Sequence, residues 1–167
     1  LVPLGEWIPS LQGIPYLGLS AIGGIEPGSP SRLLEWSGPP AAVAICYEIS
    51  NGNALADAVS KGADWALAIS NLDPYPLLLQ RQFLAITQLR SIEIARDFLS
   101  SGNTGPSSLI HADGRYQEII PPLNEGIGYS ELHFYRTITP YVRWREAPLM
   151  LILFSSKRLS ELMIMFS

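Results

Sequence analysis

Cysteine occurs once in these 167 residues, at position 46. No internal disulfide can form, so cysteine usage does not report the redox compartment. The two histidines, His111 and His133, stand at no metal-ligand spacing with the cysteine or each other, and neither a zinc site nor a cofactor site is expected. Charge is also scarce. Lys and Arg number 11 against 15 Asp and Glu, a net charge of −4 with no basic cluster to neutralise phosphates, which excludes a nucleic-acid binder. Long apolar runs are missing too: Pro148-Leu149-Met150-Leu151-Ile152-Leu153-Phe154 starts like a membrane span, but Lys157, Arg158 and Glu161 cut it short. No charged-then-apolar leader follows Leu1, and the chain reads as a piece of a longer protein. Ser70, Ser100 and Ser101 lack the Gly-x-Ser-x-Gly elbow of a serine hydrolase.

What is present is enough apolar residue to build one core, 47% hydrophobic against 16% charged, with no internal repeat or linker. Residues 1–40 are rich in Pro and Gly and read as a long irregular loop. The uninterrupted run Ala41-Ala42-Val43-Ala44-Ile45 then reads as a strand buried on both faces. Asn53 is the expected N-cap of a helix over 54–61, with Gly62 as its stop. Trp65 to Ile69 forms the next buried strand, and strand, helix, strand in about thirty residues is a βαβ crossover with parallel strands, hence an α/β core. Leu77 to Phe98 is the expected longest helix, with Phe83, Leu84, Ile86, Leu89 and Ile92 on its core side. Short strands follow at 99–101, 107–111 and 116–120, the last two joined by a turn at Asp113-Gly114, and Leu132 to Ile138 reads as one more. Arg143-Trp144-Arg145 has the character of an interfacial anchor, or of a surface turn before a terminal helix.

The strand from Ala41 ends on a thiol, a phenol and a carboxylate: Cys46, Tyr47, Glu48. A lone cysteine in an apolar strand is more often a small buried hydrophobe, yet a strand end is where a rigid sheet can hold a nucleophile and a turn can expose it. If the strand continues, Glu48 shares the face of Cys46; if the chain turns at once, the thiol is exposed. The negative charge of Glu48 cannot help to form a thiolate, so this residue is a positioning group or has a lysine or arginine beside it. His111, next to a turn, and His133 read as surface or edge residues.

The opening Leu1-Val2-Pro3-Leu4-Gly5-Glu6-Trp7-Ile8-Pro9, the Val43-Ala44-Ile45-Cys46-Tyr47-Glu48 strand, Gly62-Ala63-Asp64-Trp65 with Ile69-Ser70-Asn71, Arg90-Ser91-Ile92-Glu93, and Asn103-Thr104-Gly105 follow a known order. In it the chain resembles apolipoprotein N-acyltransferase, a bacterial inner-membrane family with a nitrilase-like domain. The resemblance implies a partial α-β-β-α sandwich over 1–144, the C-terminal part of the carbon-nitrogen hydrolase domain. Beyond it, 145–167 is expected to be a short apolar helix, a truncated or altered membrane anchor.

The reaction implied is acyl transfer on the periplasmic face of the inner membrane. Cys46 would take an acyl chain from a phospholipid as a thioester and pass it to the amino group of a diacylglyceryl-cysteine apolipoprotein. Glu6, Tyr47 and Glu48 match residues that support the nucleophile. The family's glutamate base and oxyanion lysine have no match here; the lysine is expected three residues before Leu1 and the glutamate far upstream, with the membrane segments. Lys61, at a helix end before Gly62, reads as a solvated charge, not a substitute lysine. Where relatives carry an aromatic-rich Asn-Asp-Ala-Trp-Phe-Gly loop, this chain has Asn71-Leu72-Asp73-Pro74-Tyr75-Pro76, so Asn71 and Tyr75 are candidate substrate contacts, with a proline-rigidified turn as the alternative for Tyr75. Other readings are a soluble carbon-nitrogen hydrolase, against which Glu48-Ile49-Ser50 replaces the usual Asp-x-Arg, and an inert remnant lacking the lysine and base.

Overall fold

The computed structural model describes residues 32–155. The opening motif with Glu6, the greater part of the irregular stretch read over 1–40, and Lys157, Arg158 and Glu161 lie outside them. The elements in order are β1 (Leu33–Leu34), β2 (Ala41–Ile45), a 3-10 helix (Cys46–Ser50), α1 (Gly52–Ser60), β3 (Trp65–Ser70), α2 (Leu77–Ile94), β4 (Phe98–Gly102), β5 (Ser107–Ile110), β6 (Tyr116–Ile120) and α3 (Pro140–Trp144). A further helix runs over 147–155.

Six strands form one sheet in sequence order. β2, β3 and β4 are parallel, as the crossover reading required, and β1, β5 and β6 are antiparallel to their neighbours. Strand β1 lies inside the stretch read as an irregular loop, a correction too short to leave a hydrophobic pattern. One face of the sheet is built from small residues. Ala42, Ala44, Ala66 and Ala68 pack with Leu55, Ala58 and Val59 of α1, Ile94 of α2 and Val142 of α3. Alanine lets helix backbones approach closely, so little volume is needed to fill the space between layers. On the opposite face Val43, Leu67 and Leu99 are half-buried, while Ile45 is 55% and Ile69 48% exposed.

Two helix readings need correction. The N-cap of α1 is Asn51, whose side chain accepts the Ala54 N–H at 3.1 Å, two residues before the expected Asn53. Gly62 does end this element, at φ 114°. Helix α2 stops at Ile94, where Ala95 takes a left-handed φ of 48°, and Phe98, expected in the helix, opens β4. Its core side is also rotated. Phe83, Leu84 and Ile86 do pack inward, but Leu89 and Ile92 are exposed and Thr87 and Ser91 are buried in their place. The hydroxyls permit this because each is satisfied by its own helix, Thr87 donating to the Phe83 carbonyl and Ser91 to that of Gln88.

Leu132 to Ile138 forms no strand. The strap over 121–139 crosses the protein and is pinned by side chains instead: Arg96 donates to the Thr137 carbonyl at 2.9 Å, and Thr139 to the Glu93 carbonyl at 2.5 Å. The hairpin at Asp113-Gly114 forms as read, with Gly114 at φ 84° and its N–H donating to the His111 carbonyl.

Candidate active site

Strand β2 carries the chain to the C-terminal edge of the parallel sheet, with Ile45 paired to Ile69 of β3. The next residue, Cys46, has φ 52°. A non-glycine residue in this left-handed region costs about 1–2 kcal/mol, so the surroundings must hold it there. The turn tips the backbone from strand directly into the 3-10 helix, and the thiol, half-buried, stands at the sheet edge. Of the two arrangements the sequence left open, the immediate turn is the one adopted.

Two charged residues brace this elbow. Glu48 is 8% exposed and folds back so that its Oε2 accepts the Ile45 N–H at 2.9 Å and pairs with Arg32 Nη1 at 2.5 Å. Burial acts to raise the Glu48 pKa from its ordinary 4.5, but the Ile45 N–H and the Arg32 guanidinium outweigh it and hold the carboxyl below that value. Glu48 is thus a positioning residue, and Arg32 is the cation that its burial demanded. On the other side Arg90 donates from Nε to the Ile49 carbonyl at 3.1 Å and from Nη2 to the Ser50 carbonyl at 3.2 Å, and is itself paired with Glu93. A Cβ at Gly52 would crowd the Arg90 guanidinium and the Tyr141 hydroxyl, the far ends of two side chains that would have to shift to admit it.

This bracing has a pH signature. A carboxyl whose folded pKa is depressed contributes stability that is present above its unfolded pKa, near 4.5, and lost as pH falls through the lower folded value. Glu48→Gln is expected to cost about 1–3 kcal/mol at neutral pH and to flatten the acid limb of stability below pH 4.5, checked by urea unfolding of both proteins as a function of pH. An unchanged acid limb would show that the brace contributes nothing.

The loop after β3 brings Tyr75 near the thiol: the Tyr75 pKa is raised, first by the negative charge that Cys46 would carry as a thiolate and then by burial. The Tyr75 ring also meets Phe83 of α2, centroids 5.6 Å apart. Its loop is held rigid: Asn103 Oδ1 accepts the Leu72 N–H at 2.8 Å, its Nδ2 donates to Asn71 Oδ1 at 2.7 Å, and Gln80 Nε2 donates to the Leu72 and Tyr75 carbonyls. The Asn103-Thr104-Gly105 motif, in the turn that joins β4 to β5, therefore braces the Tyr75 loop. Tyr75→Phe removes the phenol and keeps the ring. It is expected to slow alkylation of Cys46 by iodoacetamide several-fold at fixed pH, because a phenol near the sulfur favours the reactive thiolate. Equal rates in the two proteins would remove Tyr75 from the site.

The other candidates are less engaged. Tyr47 follows Cys46 with an exposed ring. Asn71 spends its side chain on Asn103 and on the Asp73 N–H at 3.2 Å, organising the loop. Lys61 pairs with Asp57 at 2.7 Å beyond the C-terminus of α1, at the sheet edge opposite Cys46. Ile45, Ile69, Leu77 and Leu78 are exposed on the elements that flank Cys46 and Tyr75. Sequence reasoning missed the nearness of Tyr75 to Cys46 and the role of Arg90, although a strand ending at Cys46 and a loop ending β3 in parallel register must share an edge.

No protein-family model matches the chain. It is 63% identical over 156 residues to an apolipoprotein N-acyltransferase of Prochlorococcus marinus, covering 93% of this chain and 31% of that protein. Proteins of the same name from Parasynechococcus marenigrum and Pseudomonas syringae are 54% and 31% identical, over 86% and 91% of this chain and 31% of each relative. The chain thus spans about a third of the length of the curated relatives it matches. Among solved structures, an amidase mutant from Nesterenkonia AN1, of the nitrilase superfamily, aligns with TM-score 0.56 at 15% identity over 81% of this chain and 52% of its own. A member of branch 10 of that superfamily from Saccharomyces cerevisiae aligns with TM-score 0.51 at 14% identity, over 71% and 44%. The fold is that of the nitrilase superfamily.

Proposed function

Starting from its kinship with the apolipoprotein N-acyltransferases, we propose that the chain supplies the nucleophile of an enzyme that moves a phospholipid acyl chain to the N-terminal amine of diacylglyceryl-cysteine apolipoproteins. The observation that carries this reading is Cys46 held at φ 52° where β2 ends, its turn braced by Glu48 on one side and Arg90 on the other. Its thiolate attacks the acyl ester carbonyl, and the tetrahedral adduct collapses with loss of the lysophospholipid alkoxide, which takes a proton. The thioester that remains is then attacked by the amine, which gives up a proton to the general base as the C–S bond breaks, forming an amide and returning the thiolate. The general base and the oxyanion lysine come from the longer sequence that the relatives have, of which this chain matches 31%.

Exposed Ile45, Ile69, Leu77 and Leu78 give the acyl chain an apolar path to the sulfur, a feature that a hydrolase of small amides does not need. The half-buried Val43, Leu67 and Leu99 face is where the other half of an α-β-β-α sandwich packs. Among the described residues no helix is long and apolar enough to cross a membrane. In this reading the exposed side chains over 149–154 and Trp144 meet the outer surface of the inner membrane. Arg145 is not part of that contact, since its guanidinium is turned back onto the Tyr141 and Val142 carbonyls of α3.

The test is to incubate the full-length protein with phospholipid vesicles and a synthetic diacylglyceryl-cysteine peptide and to weigh the peptide. A mass gain of one acyl chain on the N-terminal amine supports the reading. Release of ammonia from small amides with no gain on the peptide would assign the site to an amidase instead.

A further inference from the structure

At the sheet edge opposite Cys46, three residues far apart in sequence converge. Asp97 precedes β4 and His111 follows β5, and because Phe98 pairs with Ile110 the two stand side by side at the end of the ladder. His133 reaches them from the strap. Asp97 is 0% exposed, yet its carboxylate is aimed with care: Oδ1 accepts the Ala112 N–H at 2.9 Å and Oδ2 the His133 N–H at 3.0 Å. Both imidazoles turn Nδ1 toward the same oxygen, His133 at 3.2 Å and His111 at 3.5 Å. One carboxylate oxygen thus faces a backbone donor and two ring nitrogens, more groups than its lone pairs can satisfy, and the His111 contact is too long to be a good hydrogen bond.

We infer that Asp97, His111 and His133 form a binding site for a divalent transition metal of the zinc class. Bonds of about 2.0–2.2 Å to nitrogen and oxygen in a tetrahedral site put neighbouring ligand atoms about 3.3–3.5 Å apart, which matches the 3.2 and 3.5 Å separations here. The ligating atoms of all three residues lie within 4.8 Å of one another. Backbone donors to both carboxylate oxygens supply the orienting outer shell that metal-bound carboxylates need. Arg115, the nearby cation, is held by Asp113 at 2.6 Å and leaves Asp97 to the histidines. The fourth position faces solvent, since the His133 side chain is 59% exposed. Two imidazoles and a carboxylate select zinc, copper or nickel over magnesium and calcium. A bound ion would fasten the strap to the β4–β5 end of the sheet, so the site is a clasp, independent of the acyl-transfer reading.

The test uses the untagged chain after dialysis against a chelator, titrated with cobalt(II) and then zinc. Expected are one equivalent of cobalt with intense visible bands of a tetrahedral site, their loss when zinc displaces the ion, and a rise in Tm with zinc. His133→Ala, at an exposed side chain whose backbone N–H still reaches Asp97, and His111→Ala are each expected to weaken zinc binding at least about tenfold and to abolish the zinc-dependent rise in Tm. Cobalt that stays octahedral, or zinc binding unchanged in His133→Ala, would overturn the site and leave a hydrogen-bonded Asp97–histidine cluster.

Discussion

Replacing Cys46 with glycine is expected to abolish acyl transfer while making the chain more stable. The two effects have one origin. At φ 52° any side chain with a Cβ is strained, and glycine is not. Relief of that strain is worth about 1 kcal/mol after allowing for the greater freedom of glycine in the unfolded chain. Alanine keeps the Cβ and removes only the sulfur, so Cys46→Ala should lose activity with no such gain. Loss of the nucleophile is expected to lower the rate of acyl transfer at least about 10^4-fold in both variants. Urea unfolding measures the first effect and the peptide assay the second. A glycine variant less stable than the alanine variant would mean that the elbow is not strained, and the argument from backbone geometry to nucleophile would fail.

The largest effect on stability is expected at Arg96, whose side chain is only 2% exposed. Its Nε donates to the Ala63 carbonyl at 2.8 Å, and its Nη1 is shared among the Ile94, Ala95 and Thr137 carbonyls. One guanidinium therefore joins the start of β3, the end of α2 and the strap. Burial pulls its pKa below the ordinary value of 12.5 and the charge of Asp64 partly restores it. Arg96→Met fills most of the volume and leaves these carbonyls without a donor. A cost of about 3–5 kcal/mol is expected, a large share of the stability of a domain this size. Arg96→Lys should recover only part of it, because one ammonium cannot reach carbonyls spread around a planar fork. Urea unfolding followed by circular dichroism reads both; a loss under about 1 kcal/mol for Arg96→Met would contradict this account.

What could be read in the sequence was what repeats locally. The Ala41 strand, the crossover to Trp65 and the Asp113-Gly114 hairpin each carry their signal within a few residues, and each is present. The thiol at a strand end was legible for the same reason. The core side of α2 was misread because Thr87 and Ser91 look polar and are not, once their hydroxyls are paired within the helix. The strap was misread as a strand because its alternation resembles one, whereas its polar groups bond to residues 36 to 46 positions away and Phe134, Tyr135 and Ile138 are exposed. Glu48 called for a cation without naming it. Arg32, Arg90 and the Asp97–histidine cluster are contacts between distant stretches, and no periodicity encodes them.

The most direct measurement is the mass of the Cys46 peptide from the full-length protein after exposure to phospholipid without an acceptor. The account predicts one acyl chain on that peptide, removed by neutral hydroxylamine as a thioester is, and discharged when the diacylglyceryl-cysteine peptide is added. Acyl transfer that proceeds while Cys46 stays unmodified, or an acyl group stable to hydroxylamine on another residue, would contradict it.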